Sequence, residues 1–167
     1  TTITGYVTDI ITDLSINWLE KKRKPEKPFL MMYLHKAPHR AWWPNAEHFS
    51  TFSTKTFPEP ASLFDDYQNR GTAAKTAEMN LMDMLHSYDN TVLPVAIEES
   101  KIQDDDPRNI PFFNRGDFSR LNENQKPLYQ PILEAITHDF STRWPSMNEE
   151  EKMRWKYQRY MQDYLAC

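Results

Sequence analysis

The run Phe29-Leu30-Met31-Met32-Tyr33-Leu34 contains no charged residue, and His35-Lys36-Ala37-Pro38-His39-Arg40-Ala41-Trp42-Trp43-Pro44 follows it at once. Continuous apolarity over so short a segment, without the alternation of a half-exposed strand, predicts a central parallel strand covered on both faces. Pro25 and Pro28 end whatever helix precedes it, and Pro38 keeps a helix from running through the cations that follow. A helix and then a strand make half of an α/β repeat. In such sheets ligands bind beyond the carboxyl ends of the strands, where His35, Lys36, His39 and Arg40 would stand.

Helical periodicity fills much of the remaining chain. Val7, Ile10, Ile11, Leu14 and Trp18 predict a helix over residues 4–21 with Thr4 as its N-cap, and Lys21-Lys22-Arg23-Lys24 complements its C-terminal dipole. Residues 45–70, with Pro58 and Pro60, read as an irregular surface loop. A second helix is expected over 72–88, with Ala77, Leu81, Met84, Leu85 and Tyr88 on one face and His86 in a structural role off it. Residues 90–126 read as an irregular insertion; its triple Asp104-Asp105-Asp106 suggests calcium but lacks the ligand spacing and glycine of an EF-hand. A third helix spans 127–140. The last, over 147–165, starts at Asn148 with Glu149, Glu150 and Glu151 in its first turn, and turns Met153, Tyr157, Tyr160, Met161 and Tyr164 toward a core.

Several function classes drop out. A net charge of -4 over 167 residues argues against a domain held to nucleic acid by phosphate contacts. The single cysteine excludes an intramolecular disulfide and any multi-cysteine metal site, and no apolar run approaches the ~20 residues that span a bilayer. With 3 glycines there is no phosphate-cradling glycine loop. The start at Thr1 and the patterned helix at the other end suggest a piece of a larger domain, which copies of itself or the rest of the protein would have to complete.

The cationic cluster suits a tetrahedral oxyanion. His35 and His39 are four apart, but Pro38 breaks the helical geometry that would bring both to one metal, and no third ligand is close in sequence. Lys36 can instead place a point charge beside a sulfate or phosphate oxygen, and a protonated His39 can donate to a leaving alkoxide, a step that contributes ~10²–10⁴-fold. Trp42 and Trp43 either wall a sugar site or bury the loop on the body of the protein.

The stretch from Lys27 to Arg40 with its His35-Lys36-Ala37-Pro38-His39 core, the later Leu63-Phe64-Asp65-Asp66-Tyr67, and Trp155-Lys156-Tyr157-Gln158-Arg159-Tyr160-Met161 together resemble the middle of a type I sulfatase, nearest to bacterial glycan sulfatases. The resemblance implies that residues 1–167 are an internal segment of a sulfatase catalytic domain with an alkaline-phosphatase-like α/β fold, helix-rich and with at least one central parallel strand. Residues 34–44 are then its active-site loop. It implies His39 as the catalytic group at the leaving oxygen, Lys36, His35, Arg40 and Trp42 as substrate contacts, and a sulfated carbohydrate as substrate. Calcium and a formylglycine nucleophile are implied for the whole enzyme, and a periplasmic or extracellular location. The C/S-x-P-x-R nucleophile motif and the paired aspartates for calcium are absent here, and Cys167 is followed by neither proline nor arginine. The segment alone is therefore expected to be inactive. Other readings are a non-catalytic module that binds anionic glycans through Lys36, His39, Arg40 and Trp42, and a phosphoesterase of the same superfamily.

Overall fold

The computed structural model describes residues 2–78, 80–93 and 121–167. In chain order these form α1 (Val7–Lys21), α2 (Ala46–Phe49), α3 (Thr72–Lys75), α4 (His86–Asp89), α5 (Lys126–Arg143), a 3-10 turn (Trp144–Ser146) and α6 (Glu149–Ala166). The Asp104-Asp105-Asp106 triplet and most of the expected insertion lie outside the described residues. Among the described residues no helix is long and apolar enough to cross a membrane.

The strand expected at residues 29–34 is not formed. The segment carries no regular secondary structure, and Leu30, Met32 and Leu34 are 88%, 73% and 70% exposed. A central strand needs ladder partners on both sides, and the described residues contain none. α1 lies alongside: Thr12 Oγ1 meets Tyr33 Oη at 2.5 Å, and Trp18 packs edge-on to Phe29 at 5.3 Å. The helix begins after Tyr6 rather than at Thr4 and has no side-chain cap, and none of its residues is fully buried.

Two further expectations fail for a local reason. The helix over 72–88 is broken into α3 and α4, because side chains between them take amides that a helix would use. Asn80 Oδ1 accepts from the Met82 and Asp83 amides at 2.8 and 3.2 Å, and an Asp89 carboxylate oxygen accepts from Leu85 N at 2.7 Å. The loop at 45–70 contains α2, which Asn45 caps through the Glu47 amide, and its Phe49 enters the core at 4% exposure.

α5 starts at Lys126 with Pro127 and Pro131 near its N-terminus, and ends in the Trp144–Ser146 turn. α6 opens with a capping box in which Asn148 accepts from Glu151 N and Glu151 from Asn148 N, at 3.0 and 2.8 Å. Its core face differs from the expected aromatic stripe. The buried residues are Trp155, Lys156, Arg159 and Asp163, whereas Met153, Tyr157, Tyr160, Met161 and Tyr164 are half-buried. The reason is that the charged face meets polar partners: backbone carbonyls take the Lys156 ammonium, and Arg159 pairs with Asp163.

Two apolar clusters hold these elements. Val92, Phe140, Trp144 and Trp155 form one, and Phe49, Tyr129 and Leu133 the other, with Ile136 touching both. His86 completes the first, its ring 4.7 Å from Phe140 and 4.5 Å from Trp144, each ring pair worth about 0.5–1.5 kcal/mol beyond area burial. Burial, helped by the nearby Lys156 ammonium, pulls His86 down to about 3.

The sign follows from linkage. Below about 6.5 the unfolded chain protonates this histidine while the folded chain keeps it neutral, so stability is full above that pH and falls as pH drops toward 3. His86 should therefore contribute a slope of about 1.4 kcal/mol per pH unit in that window. Urea unfolding at pH 7, 5.5 and 4.5 should show the slope flattened in His86→Phe; an unchanged slope would assign the acid sensitivity elsewhere. Asp163, pushed up by burial against the pull of Arg159, acts in the opposite sense and is common to both proteins.

Candidate active site

Residues 36–39 close a tight turn in which His39 N donates to Lys36 O at 2.8 Å across a cis Ala37–Pro38 bond. Lys36 and His39 are both exposed at the tip of this turn. The His39 ring folds back so that Nδ1 meets the Arg40 carbonyl oxygen. A carbonyl only accepts, so Nδ1 carries the hydrogen and Nε2 is the nitrogen that exchanges protons with whatever stands outside the turn. His35 lies apart: its ring packs edge-on to Tyr33 at 4.3 Å, with Nδ1 buried and unpartnered among the described residues.

Arg40 points the other way. Its Nε and Nη2 fork onto the two carboxylate oxygens of Asp89, whose side chain is 0% exposed, and the guanidinium stacks 5.3 Å above the Tyr88 ring. The geometry is the bidentate pairing that suits arginine and that lysine cannot make. Trp42 anchors the turn a second time. Its Nε1 donates to Pro38 O at 2.9 Å, and its ring, 8% exposed, packs edge-on to Tyr160 at 4.9 Å and Tyr164 at 6.1 Å. The half-buried stripe of α6 is thus a seat for this tryptophan.

Beneath the turn α6 is fastened to residues 82–91 by buried charge. Lys156 Nζ donates to the Met82 and Met84 carbonyls at 2.7 and 2.6 Å, and Arg159 pairs with Asp163, which also accepts from Thr91 Oγ1 at 3.1 Å. Sequence reasoning missed Asp89, Lys156, Arg159 and Asp163. The four-residue spacing of Arg159 and Asp163 is a readable helix pair, but spacing says nothing of burial.

A cleft of about 790 Å³ opens on one side of this assembly, and each stretch singled out for its resemblance contributes to it: Arg40, then Leu63, Phe64, Asp65 and Tyr67, then Tyr157 and Tyr160, with Trp42 beside Arg40. Lys36, His35 and His39 are not in its wall. The five expected site residues therefore divide: Lys36 and His39 face outward, Arg40 and Trp42 secure the turn from below, and His35 stands with Tyr33. Among the described residues no group of three His, Cys, Asp or Glu is placed to hold a metal ion, and Cys167 is free, 3.7 Å from Tyr6 Oη. The described residues thus do not fit a calcium or formylglycine site.

Deleting the indole tests how far Trp42 anchors the turn. Trp42→Phe keeps most of the ring contact but loses the donor to Pro38 and should cost about 1 kcal/mol, whereas Trp42→Ala should cost about 3–5 kcal/mol. Urea denaturation of the two variants would separate them; an alanine variant as stable as the parent would mean the ring is not packed as described.

No protein-family model matches the chain. It is 39% identical over 163 residues to an N-acetylglucosamine-6-O-sulfatase of Bacteroides thetaiotaomicron, a match covering 97% of this chain and 27% of that protein. Its fold superposes with a TM-score of 0.79, at 33% identity, on a protein solved in complex with its substrate D-glucosamine-2-N,6-O-disulfate, covering 99% of this chain and 32% of that one. The chain therefore spans about a quarter to a third of the length of these relatives. By sequence along nearly all its length, and by fold, the chain is similar to one segment of these proteins.

Proposed function

We propose that residues 1–167 are an internal segment of the catalytic domain of a sulfuric ester hydrolase that removes sulfate from a glycan, with an amino-sugar 6-O-sulfate as the substrate class. The observation that carries the reading is the likeness over 97% of the chain to an N-acetylglucosamine-6-O-sulfatase, with His35-Lys36-Ala37-Pro38-His39 lying within the matched length. In this reading the fold is alkaline-phosphatase-like, residues 29–34 become a strand when the rest of the sheet flanks them, and residues 34–44 form the active-site loop. Exposed Leu30, Met32 and Leu34 are apolar side chains of the kind such a sheet would cover.

The chemistry assigned to the turn is proton delivery and charge. With Nδ1–H committed to the Arg40 carbonyl, protonated His39 offers Nε2–H to the leaving sugar oxygen, and Lys36 holds a sulfate oxygen with its ammonium. Arg40 and Trp42 keep the turn in place and border the neighbouring cleft, which gives Trp42 an edge for a sugar ring; His35 is the outlying member of the set. Calcium and formylglycine belong to the parts of the enzyme outside this segment, and none of these steps runs through them. The segment by itself is inactive and presents its bare apolar edge to further copies of itself.

His39→Ala in the full-length polypeptide should lower turnover of a glucosamine 6-sulfate by about 10²–10⁴-fold and that of an aryl sulfate, whose leaving group needs no proton, by far less. Equal losses on both substrates would remove His39 from the acid role, and no desulfation by the unmutated polypeptide would remove the reading itself.

A further inference from the structure

One residue beneath the turn that carries His39 is fixed from several sides. Asp89 is bound to Leu85 twice, its amide donating to Leu85 O at 2.8 Å and its carboxylate accepting from Leu85 N at 2.7 Å. The carbonyls of Met84, immediately before Leu85, and of Met82 two residues earlier are the ones that Lys156 of α6 holds. Asp89 is thus tied into the hydrogen-bonded contact between α6 and the 82–91 segment. From there its two oxygens take the fork of Arg40, and the Arg40 carbonyl in turn takes Nδ1–H of His39.

We infer that Asp89 is the positioning residue of the candidate site: it sets where the His39 imidazole stands by holding the guanidinium of the next residue, without touching substrate. The inference rests on the proposed role of His39. A carboxylate is required, because only two acceptor oxygens side by side match the parallel N–H groups of a guanidinium. An asparagine there would face one of those donors with its own NH₂, and Arg40 would leave the fork. The carbonyl that orients His39 would then lose its anchor, and a shift of about 1 Å in a catalytic group can cost about 10²-fold in rate.

The test is Asp89→Asn in the full-length polypeptide, read by kinetics on a glucosamine 6-sulfate and by amide hydrogen exchange. The expected result is a kcat lowered about 10–100-fold with KM within about threefold, and faster exchange at residues 37–42 while α6 stays protected. In a His39→Ala background the same substitution should cost nothing more, because its effect passes through His39. Wild-type kcat in a folded variant, or an equal loss in both backgrounds, would overturn the inference. Should the unmutated polypeptide desulfate nothing, the functional reading fails on its own. Exchange at 37–42 then still decides the positioning claim, and an unchanged pattern in Asp89→Asn would refute it. Should Asp89→Asn not fold, Arg40→Lys keeps the charge but lacks the fork, and should show the same pattern to a smaller degree, with unchanged kinetics and exchange counting against it.

Discussion

Charge buried between α6 and the 82–91 segment is the constraint on which the site depends. Asp89, Asp163, Lys156 and Arg159 are all nearly or wholly removed from water, and desolvating each ion costs several kcal/mol unless partners compensate. Here partners do so: a fork from Arg40 on Asp89, Arg159 and Thr91 on Asp163, and two carbonyls on Lys156. Such an arrangement adds little net stability over an apolar core, but any change that removes one partner leaves a buried charge exposed to the full penalty. It therefore specifies one arrangement sharply. Part of the cluster remains open, since both side-chain polar atoms of Asn90 and Nε of Arg159 are buried without partners among the described residues.

The same network explains how an exposed turn can be held in a defined place. Lys36 and His39 stand at its tip, where an anion can reach them, and every anchor of the turn lies on its other side. Arg40 reaches down to Asp89, Trp42 lies on Tyr160 and Tyr164, and Asn45 at the end of the stretch donates to Asp9 of α1 at 2.7 Å. The exposed tip and the anchors that hold it are thus supplied by different residues. Of the five residues expected at the site, only Lys36 and His39 stand at the exposed tip, while Arg40 and Trp42 serve as anchors.

What could be read from the sequence is what local chemistry decides. The start of α6 follows from Asn148 and Glu151, which satisfy each other's backbone amides without help from the rest of the chain. α5 follows from its apolar spacing and from prolines confined to its first turns. Pro38 is expected to keep a helix from running through His35 to His39, and residues 36–39 do close a turn instead. Competition for backbone groups, near and far, decided the rest. Apolar spacing at 77–88 promised one helix, but the Asn80 and Asp89 side chains took amides two to four residues away, and Lys156 captured carbonyls from 74 and 72 residues away in sequence. On α6 the tyrosine stripe and the charged stripe are both helical in period, and only the partners on other elements determine which one is buried. Residues 29–34 show the same limit, since apolarity identifies a surface to be covered but does not supply the neighbours that cover it.

The central claim is that the turn at Lys36 and His39 is a wall of a sulfate pocket. A crystal structure of the full-length polypeptide with a glucosamine 6-sulfate bound would test it most directly. The expected result places one sulfate oxygen within about 3.2 Å of Lys36 Nζ and the bridging sugar oxygen within the same reach of His39 Nε2. A sulfate seated instead in the cleft beside Leu63 and Tyr157, with the His39 ring beyond hydrogen-bond reach, would contradict it.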